Sequence, residues 1–312
     1  MKVLLVDADR TGFPNLALMK LSTHHKNAGN VVGLLGRDKG PTNPDEVYAS
    51  CIFSWNAPYI LGLAKMFNCP LYIGGSGVGF EPTLLDEIEH VMPDYSLYGV
   101  RYGMGFTSRG CDRRCPWCIV WKKEGKIRDH AQISEFYEPR WKRLRLLDNN
   151  FLQSPRWHEN LREIIARKVR VDFNQGLDAR LVDSEKAKWL AKAHCTGTRF
   201  KRPCLRFSFD TPQIESEFLA GIGNLLKAGV KPPHIFTYIL TGYGTTFEED
   251  FHRFEVVRDI GALPFIMVYN NRKDDPRLRD FARWVNQRHY EWVPWEKYDR
   301  HYRSKRNSNL KV

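Results

Sequence analysis

The sequence predicts an α/β protein: a partial (β/α)6 TIM-like barrel preceded by a small Rossmann-like parallel α/β domain. Short apolar runs alternate with amphipathic stretches over most of the 312 residues, the pattern of parallel strands joined by crossover helices. The alternation falls into two series, one ending near residue 100 and a cleaner one starting at Gly105. With 42% apolar residues and Trp 9, Tyr 13 and Phe 18, the chain has the material for a sizeable core and does not read as disordered.

In the first series, KVLLVDA and NVVGLL are strand candidates separated by a helical stretch around Leu16 to Asn27. VYASCIF and PLYIGG follow, separated by a helical stretch around Tyr59 to Phe67. A further helix opens at Glu81-Pro82, with Pro82 suited to a first turn and Leu85, Ile88 and Met92 on one face. The run GGSGVG from Gly74 to Gly79 lacks the G-x-G-x-x-G spacing and does not pass directly into a helix, so it reads as a tight turn.

In the second series the strand candidates are GFTSR (105–109), RLRLLD (143–148), RVDFN (170–174), LRFSFD (205–210), IFTYILT (235–241) and PFIMVY (264–269). Helical stripes lie between them. One carries Trp157, Leu161, Ile164 and Ile165; the next carries Ala187, Leu190 and Ala191. A third, with Ile214, Phe218, Ile222, Leu225 and Leu226, stops at Gly229. The fifth helix shows Thr245 three residues before Glu248, a capping-box spacing, then Phe247, Phe251 and Phe254 before Gly261. Six βα units favour a partial barrel over an open sheet. After Asn271 a charged turn leads to a helix with Leu278, Phe281, Trp284 and Val285, then an aromatic and basic tail. The expected division is 1–100, 101–271 and 272–312.

The start, MKVLLVDAD, reads as a first strand and not as a signal peptide, and no run approaches the roughly 18 apolar residues of a membrane span. A cytoplasmic protein without a membrane partner is the expectation, with reduced thiols. Seven cysteines, an odd number, suit metal ligation better than a disulfide frame. The net charge of +12 gathers at Lys122, Lys123, Lys126 and Arg128, at Arg140, Lys142, Arg143 and Arg145, at Arg199, Lys201, Arg202 and Arg206, and at Arg300, Arg303, Lys305 and Arg306. Such a field attracts nucleic acid or acidic substrates. A solvated surface explains it as well, and no nucleic-acid-binding module accompanies it.

The most specific feature is RGCDRRCPWCIV, with Cys111, Cys115 and Cys118 spaced C-x3-C-x2-C and Trp117 before the last cysteine. Three thiolates on so short a loop can each hold one iron of a 4Fe–4S cube and leave the fourth iron without a protein ligand. An open coordination position is a place for chemistry. The alternative, a zinc knot, needs a fourth ligand such as His194, Cys195 or Cys204. Zinc sites usually pair two C-x2-C hairpins, and no second pair exists here. The loop follows the first barrel strand at its carboxyl end, where αβ barrels carry their active sites.

This arrangement resembles the radical SAM superfamily over most of residues 101–270, in the branch with an N-terminal cobalamin-binding-like domain. The resemblance implies a 4Fe–4S cluster whose open iron is chelated by the amino and carboxylate groups of S-adenosyl-L-methionine. It also implies reductive cleavage to a 5′-deoxyadenosyl radical that abstracts hydrogen from the substrate. Trp117 matches the position near the adenine. Asp148-Asn149-Asn150 resembles the second-strand motif that holds the methionine amino group, and Asn and Asp oxygens suit an ammonium. Arg180, with Gln175 and Asp178, ends the third strand, where a residue faces the methionine carboxylate. Ser208 and Asp210 look like ribose contacts, and TYILTGYGTTFEE resembles the fifth-strand motif under the adenine.

The residues themselves leave plainer roles open. Asp148 and Asn149 could shape a turn, Arg180 could pair with Asp178, and Ser208 and Asp210 could cap the helix at Pro212. In the first domain VYASCIFSWN and YIGGSGVG look like two later loops of the cobalamin-binding-like fold. The D-x-H-x-x-G lower-ligand motif is missing, which argues against cobalamin. His24 and His25 read as surface residues of a helix, and Cys195 and Cys204 as core or loop packing. A reductant such as flavodoxin or ferredoxin is implied as partner. Two other readings remain: a non-catalytic metal-stabilised nucleic-acid-binding protein, and a radical SAM enzyme modifying nucleic acid.

Overall fold

A computed structural model describes residues 1–36, 40–81, 83–271 and 275–300. The first part runs β1 (Lys2–Asp7), α1 (Leu16–Asn27), β2 (Val31–Leu34), β3 (Glu46–Ser50), α2 (Ala57–Gly62), β4 (Leu71–Gly74) and α3 (Asp86–Glu89). The four strands form one parallel sheet in the order β2-β1-β3-β4. Asn15 starts α1 by accepting from the Leu18 N–H at 3.2 Å, and Gly29, at φ +76°, closes it. The helix lays Leu18, Met19 and Leu21 on Val3 and Leu5 of β1. The GGSGVG segment is a tight turn against β3: a Cβ on Gly75, at φ +105°, would lie 2.2 Å from the Cys51 carbonyl oxygen.

Two expectations for this part change. α3 is four residues long, Leu85 and Met92 are exposed, and only Ile88 is buried; Pro82 lies outside the described residues. His25 is buried, not a surface residue: its ring lies 5.0 Å from that of Tyr48, and burial lowers its pKa.

The second part begins with β5 (Gly103–Gly105), β6 (Ser108–Arg109), α4 (Val120–Lys123), β7 (Arg128–Asp129), β8 (Arg143–Leu146), α5 (Trp157–Ala166) and β9 (Arg170–Phe173). It continues with α6 (Ser184–Lys192), β10 (His194–Cys195), β11 (Leu205–Ser208), α7 (Glu215–Lys227), β12 (Ile235–Thr241), α8 (Phe247–Asp259), β13 (Leu263–Val268) and α9 (Pro276–Asn286). Two parallel sheets result, β10-β9-β8-β5 and β11-β12-β13, linked by a parallel bridge between Leu177 and Phe207. The molecule is thus a mixed α/β protein with parallel sheets.

One face of these strands, with Leu144, Leu146, Val171, Phe173, Phe207, Ile235, Ile239 and Ile266, packs against the helices in the main core. On the other face the side chains are Met104, Arg145, Asp172, Arg206, Tyr238 and Phe265, by the alternation of a pleated strand. Met104 and Leu147 join the apolar cluster of the first part, so the two parts share buried surface. Arg145 and Arg206 are correspondingly interior, not members of a surface basic field. The tail from residue 301, with Arg303, Lys305 and Arg306, and the start of the charged turn after Asn271 lie outside the described residues.

GFTSR does not form one strand. β5 ends at Gly105, and Ser108 and Arg109 leave the sheet to pair antiparallel with β7. The capping box of α8 is one residue later than its spacing suggested: Thr246 caps the Glu249 N–H, and Glu249 returns the bond. α9 buries Leu278, Phe281, Trp284 and Val285. Among the described residues no helix is long and apolar enough to cross a membrane.

Candidate functional site

The three cysteines ride on the loop of the β6–β7 hairpin. Gly110 opens it at φ +83°, and a Cβ there would strike the Lys126 carbonyl oxygen at 2.1 Å. The two arms are pinned where the Cys111 N–H donates to Gly125 O at 3.1 Å and the Ile127 N–H to Asp112 Oδ1 at 3.1 Å. Within the loop, the Cys118 N–H and Trp121 Nε1 both donate to the Cys115 carbonyl, at 3.0 and 3.1 Å. The three thiols are free and half-buried. Burial pushes the Cys115 thiol up; Arg180 opposes this, while Cys118, Asp210 and Cys111 add to it. Cys118 is also raised by burial, with Cys111 and Asp210 contributing. The loop thiols and the ends of β9 and β11 therefore share one neighbourhood.

Cys111 Sγ accepts from the Arg113 N–H at 3.4 Å and from Asn150 Nδ2 at 3.5 Å. A pocket of about 420 Å³ adjoins it, lined by Cys111, Asp112, Arg114, Trp121, Gly125 and Lys126. Among the described residues no three Cys, His, Asp or Glu side chains group tightly enough to hold one metal ion. The ligands a zinc knot would borrow are placed elsewhere. His194 and Cys195 form β10 beside the amino-terminal half of β9, and the Cys204 N–H bonds to Cys195 O at 3.1 Å. They belong to the end of the sheet opposite the cysteine loop, and Cys195 is buried in the main core.

After β8, Asp148 accepts four hydrogen bonds, from the N–H and hydroxyl of Thr107 (3.1 and 2.6 Å) and of Ser108 (2.7 and 2.7 Å). Burial pushes its carboxyl up while these donors hold it down. Three of these bonds fall on Oδ1 and one on Oδ2, so Asp148 braces the turn out of β5. Asn149 Oδ1 accepts from the Gly110 N–H at 3.0 Å, at the mouth of the cysteine loop. Asn150, 4% exposed, points Nδ2 at Cys111, and its Oδ1 is buried with no partner.

After β9, Arg180 forks onto Asp178 through Nε (2.7 Å) and Nη2 (2.9 Å). Asp178 also takes Arg113 Nε at 3.1 Å, tying the cysteine loop to this strand end. At the end of β11, burial pushes the Asp210 carboxyl up to about 6 against the pull of Ser208, Arg253 and Arg180. Trp117 meets Tyr243 edge to face at 5.6 Å, and Tyr243 meets Tyr269 at 4.6 Å, joining the loop to the ends of β12 and β13.

Sequence reading missed Asp250 and Arg253. Arg253 is fully buried, donates Nη1 to Phe209 O at 2.8 Å and pairs with Asp250. Asp250 accepts from the Gly242 N–H at 2.9 Å and from the Thr245 hydroxyl at 2.6 Å. The pair fastens the end of β11 to the glycine turn after β12. Its signal was two opposite charges three residues apart on the buried stripe of α8.

No family model matches the chain, and no curated protein matches it. Among solved structures it is similar to SuiB of Streptococcus suis bound to the precursor peptide SuiA. The identity is 11% over 75% of this chain and 60% of that one, with a TM-score of 0.41. It is also similar to apo, selenomethionine-labelled OxsB, a cobalamin-dependent S-adenosylmethionine radical enzyme. Here the identity is 15% over 85% of this chain and 48% of that one, with a TM-score of 0.42. The match thus takes in less than two thirds of either protein's length.

Proposed function

We propose that this chain is a radical SAM enzyme built on a partial (β/α)6 barrel, residues 101–271, behind a Rossmann-like domain, residues 1–100. In this reading Cys111, Cys115 and Cys118 hold a 4Fe–4S cluster and the neighbouring strand ends hold S-adenosyl-L-methionine. When bound, the reduced cluster supplies the electron that breaks the sulfonium C5′–S bond and yields a 5′-deoxyadenosyl radical for hydrogen abstraction.

The observation that carries the reading is Asn150. Its Nδ2 is already on a cysteine sulfur, and its buried Oδ1 has no partner. A buried acceptor left unmade costs about 1–3 kcal/mol, and an ammonium placed beside Cys111 would satisfy it. Around that point the donor set fits the rest of the nucleotide. Arg180 keeps Nη1 free of its fork with Asp178 and can take a carboxylate. Ser208 and Asp210 offer ribose contacts, and Trp117 with Tyr243 makes an aromatic wall for adenine. Half-burial of the thiols limits water around the site.

Exposed Lys122, Lys123 and Lys126 on the loop suit an acidic electron-transfer protein such as flavodoxin or ferredoxin. Free thiols suit a reducing compartment, hence the cytoplasm. Cobalamin has no part in this proposal.

Anaerobic reconstitution should load about four irons per chain, and dithionite should then release 5′-deoxyadenosine from S-adenosylmethionine. Asn150→Ala should keep the iron while weakening S-adenosylmethionine binding by about ten-fold or more, the worth of a hydrogen bond to a charged group. If Cys115→Ala yielded deoxyadenosine at the wild-type rate, the proposal would fall.

A further inference from the structure

On the face opposite the main core, Arg145 of β8, Asp172 of β9 and Arg206 of β11 form a buried row. Their exposures are 4%, 0% and 7%. Arg145 donates Nε to Asp172 Oδ2 at 2.9 Å, Nη1 to the Tyr102 hydroxyl at 2.9 Å and Nη2 to Thr198 O at 2.6 Å, so each of its nitrogens has a partner. Arg206 gives only Nη1, to Asp172 Oδ1. Among the described residues its Nε and Nη2 have no partner. Two guanidinium groups therefore share one carboxylate, and the remaining edge of Arg206 is open to solvent instead of sealed in the core. An excess positive charge with an open pair of donors favours an anionic partner.

The geometry of what is left over narrows the anion. Nε and Nη2 form one edge of the guanidinium, the parallel pair of donors that a planar carboxylate takes bidentately. Nη2 lies beside Gly197: a Cβ there would be in contact with it, at 3.6 Å. Above Arg206 the same face is half-buried and aromatic, with Phe236, Tyr238 and Phe265 in mutual ring contact. Four residues further along the strand lies Asp210, about 13 Å away at the rise of a parallel strand.

We propose that Arg206 is the docking group for an organic carboxylate with an apolar body. The carboxylate takes Nε and Nη2 beside Gly197, and the body lies along Phe236, Tyr238 and Phe265 toward the carboxyl ends of the strands. This rests on the proposed function for its meaning: the carboxylate would belong to the substrate, anchored at one end while its reacting carbon meets the site at the other.

The test uses two probes of equal shape, 3-phenylpropionate and the neutral 3-phenylpropan-1-ol, titrated calorimetrically into the full chain without S-adenosylmethionine. The acid should bind wild type at least ten-fold more tightly than the alcohol. Arg206→Gln should lose that preference, with Arg206→Lys retaining part of it as a point charge. Because Arg206 is interior, Gly197→Val serves as the second variant. Its methyl groups crowd Nη2 while leaving the charge of Arg206 in place, and should also abolish binding of the acid. Equal binding of acid and alcohol, no binding to wild type, or unchanged binding to both Arg206→Gln and Gly197→Val would overturn the proposal. Deoxyadenosine release by wild type is read separately, so a chain that binds the acid but never cleaves S-adenosylmethionine defeats the enzymatic reading alone.

Discussion

Asp148 and Asn150 lie two positions apart on one strand end and are used in opposite ways. The carboxylate takes four donors from its own chain, three of them on Oδ1, whereas the amide keeps an empty acceptor beside a thiol. Sequence pattern cannot separate these roles, because both residue types offer oxygens to whatever is near. The difference comes from Thr107 and Ser108, which reach Asp148 only once β5 and β8 are paired. Asp210 is a third case, a carboxylate with its charge disfavoured by burial. Its ordinary value is 3.8 and its folded value about 6, so between these pH values the folded chain holds a proton the unfolded chain has released. Its contribution to stability therefore falls as pH rises through that window. Asp210→Asn has no such loss. Comparing the unfolding free energies of the iron-free proteins in urea at pH 4 and pH 7, the variant should gain about 2 kcal/mol on wild type. A constant difference across that range would mean that Asp210 ionises freely.

Close backbone approach decides how the elements hold the site. Gly221 lies on α7 where a Cβ would meet the Ala179 carbonyl oxygen at 2.0 Å, and Ala179 begins the turn that carries Arg180. Gly221→Ala must push α7 outward or shift that turn. It should cost about 1–3 kcal/mol, as overpacking does, and displace Arg180 from Asp178. A thermal melt with a crystal structure of the variant checks both; an unshifted melting temperature would show that the contact relaxes freely. The strands of this region were legible where an uninterrupted apolar run met a helix with one buried stripe, as at β12, which coincides with IFTYILT. They were less legible where side chains redirect the backbone. Asp148 draws Thr107 and Ser108 away from β5, so GFTSR divides into a sheet strand and a hairpin arm. β10 is two residues of a polar insertion, stabilised by its place beside β9 and not by any pattern of its own. Likewise the buried Asp250–Arg253 pair was hidden among the charges of α8, because its partners Gly242 and Phe209 come from other elements.

At the scale of the molecule, the first part and the sheets behind it share packing and charge. Val3, Leu5, Leu18 and Met19 close over Met104 and Leu147 in one apolar cluster. A second link is ionic. Glu89 of α3 pairs with Arg109 of the cysteine hairpin and lies 3.3 Å from Lys20 of α1 and 3.5 Å from His130. Arg109 reaches on to Glu124 at 3.3 Å, beyond the last cysteine. Burial works against the Glu89 carboxylate, but His130, Arg109 and Lys20 outweigh it and hold the pKa at about 2. With a folded value below the ordinary 4.5, this group stabilises the fold above pH 4.5, and that contribution fades as pH falls toward 2. Glu89→Gln should therefore cost about 3 kcal/mol at pH 7. Its difference from wild type should shrink on acidification, as the native carboxyl becomes neutral too. The same variant frees Arg109 on the side facing the first part, so Cys111 should react faster with a thiol reagent while distant Cys195 remains protected. A loss of stability unaffected by acid, or equal reactivity at Cys111 in both proteins, would separate the hairpin from the domain in front of it.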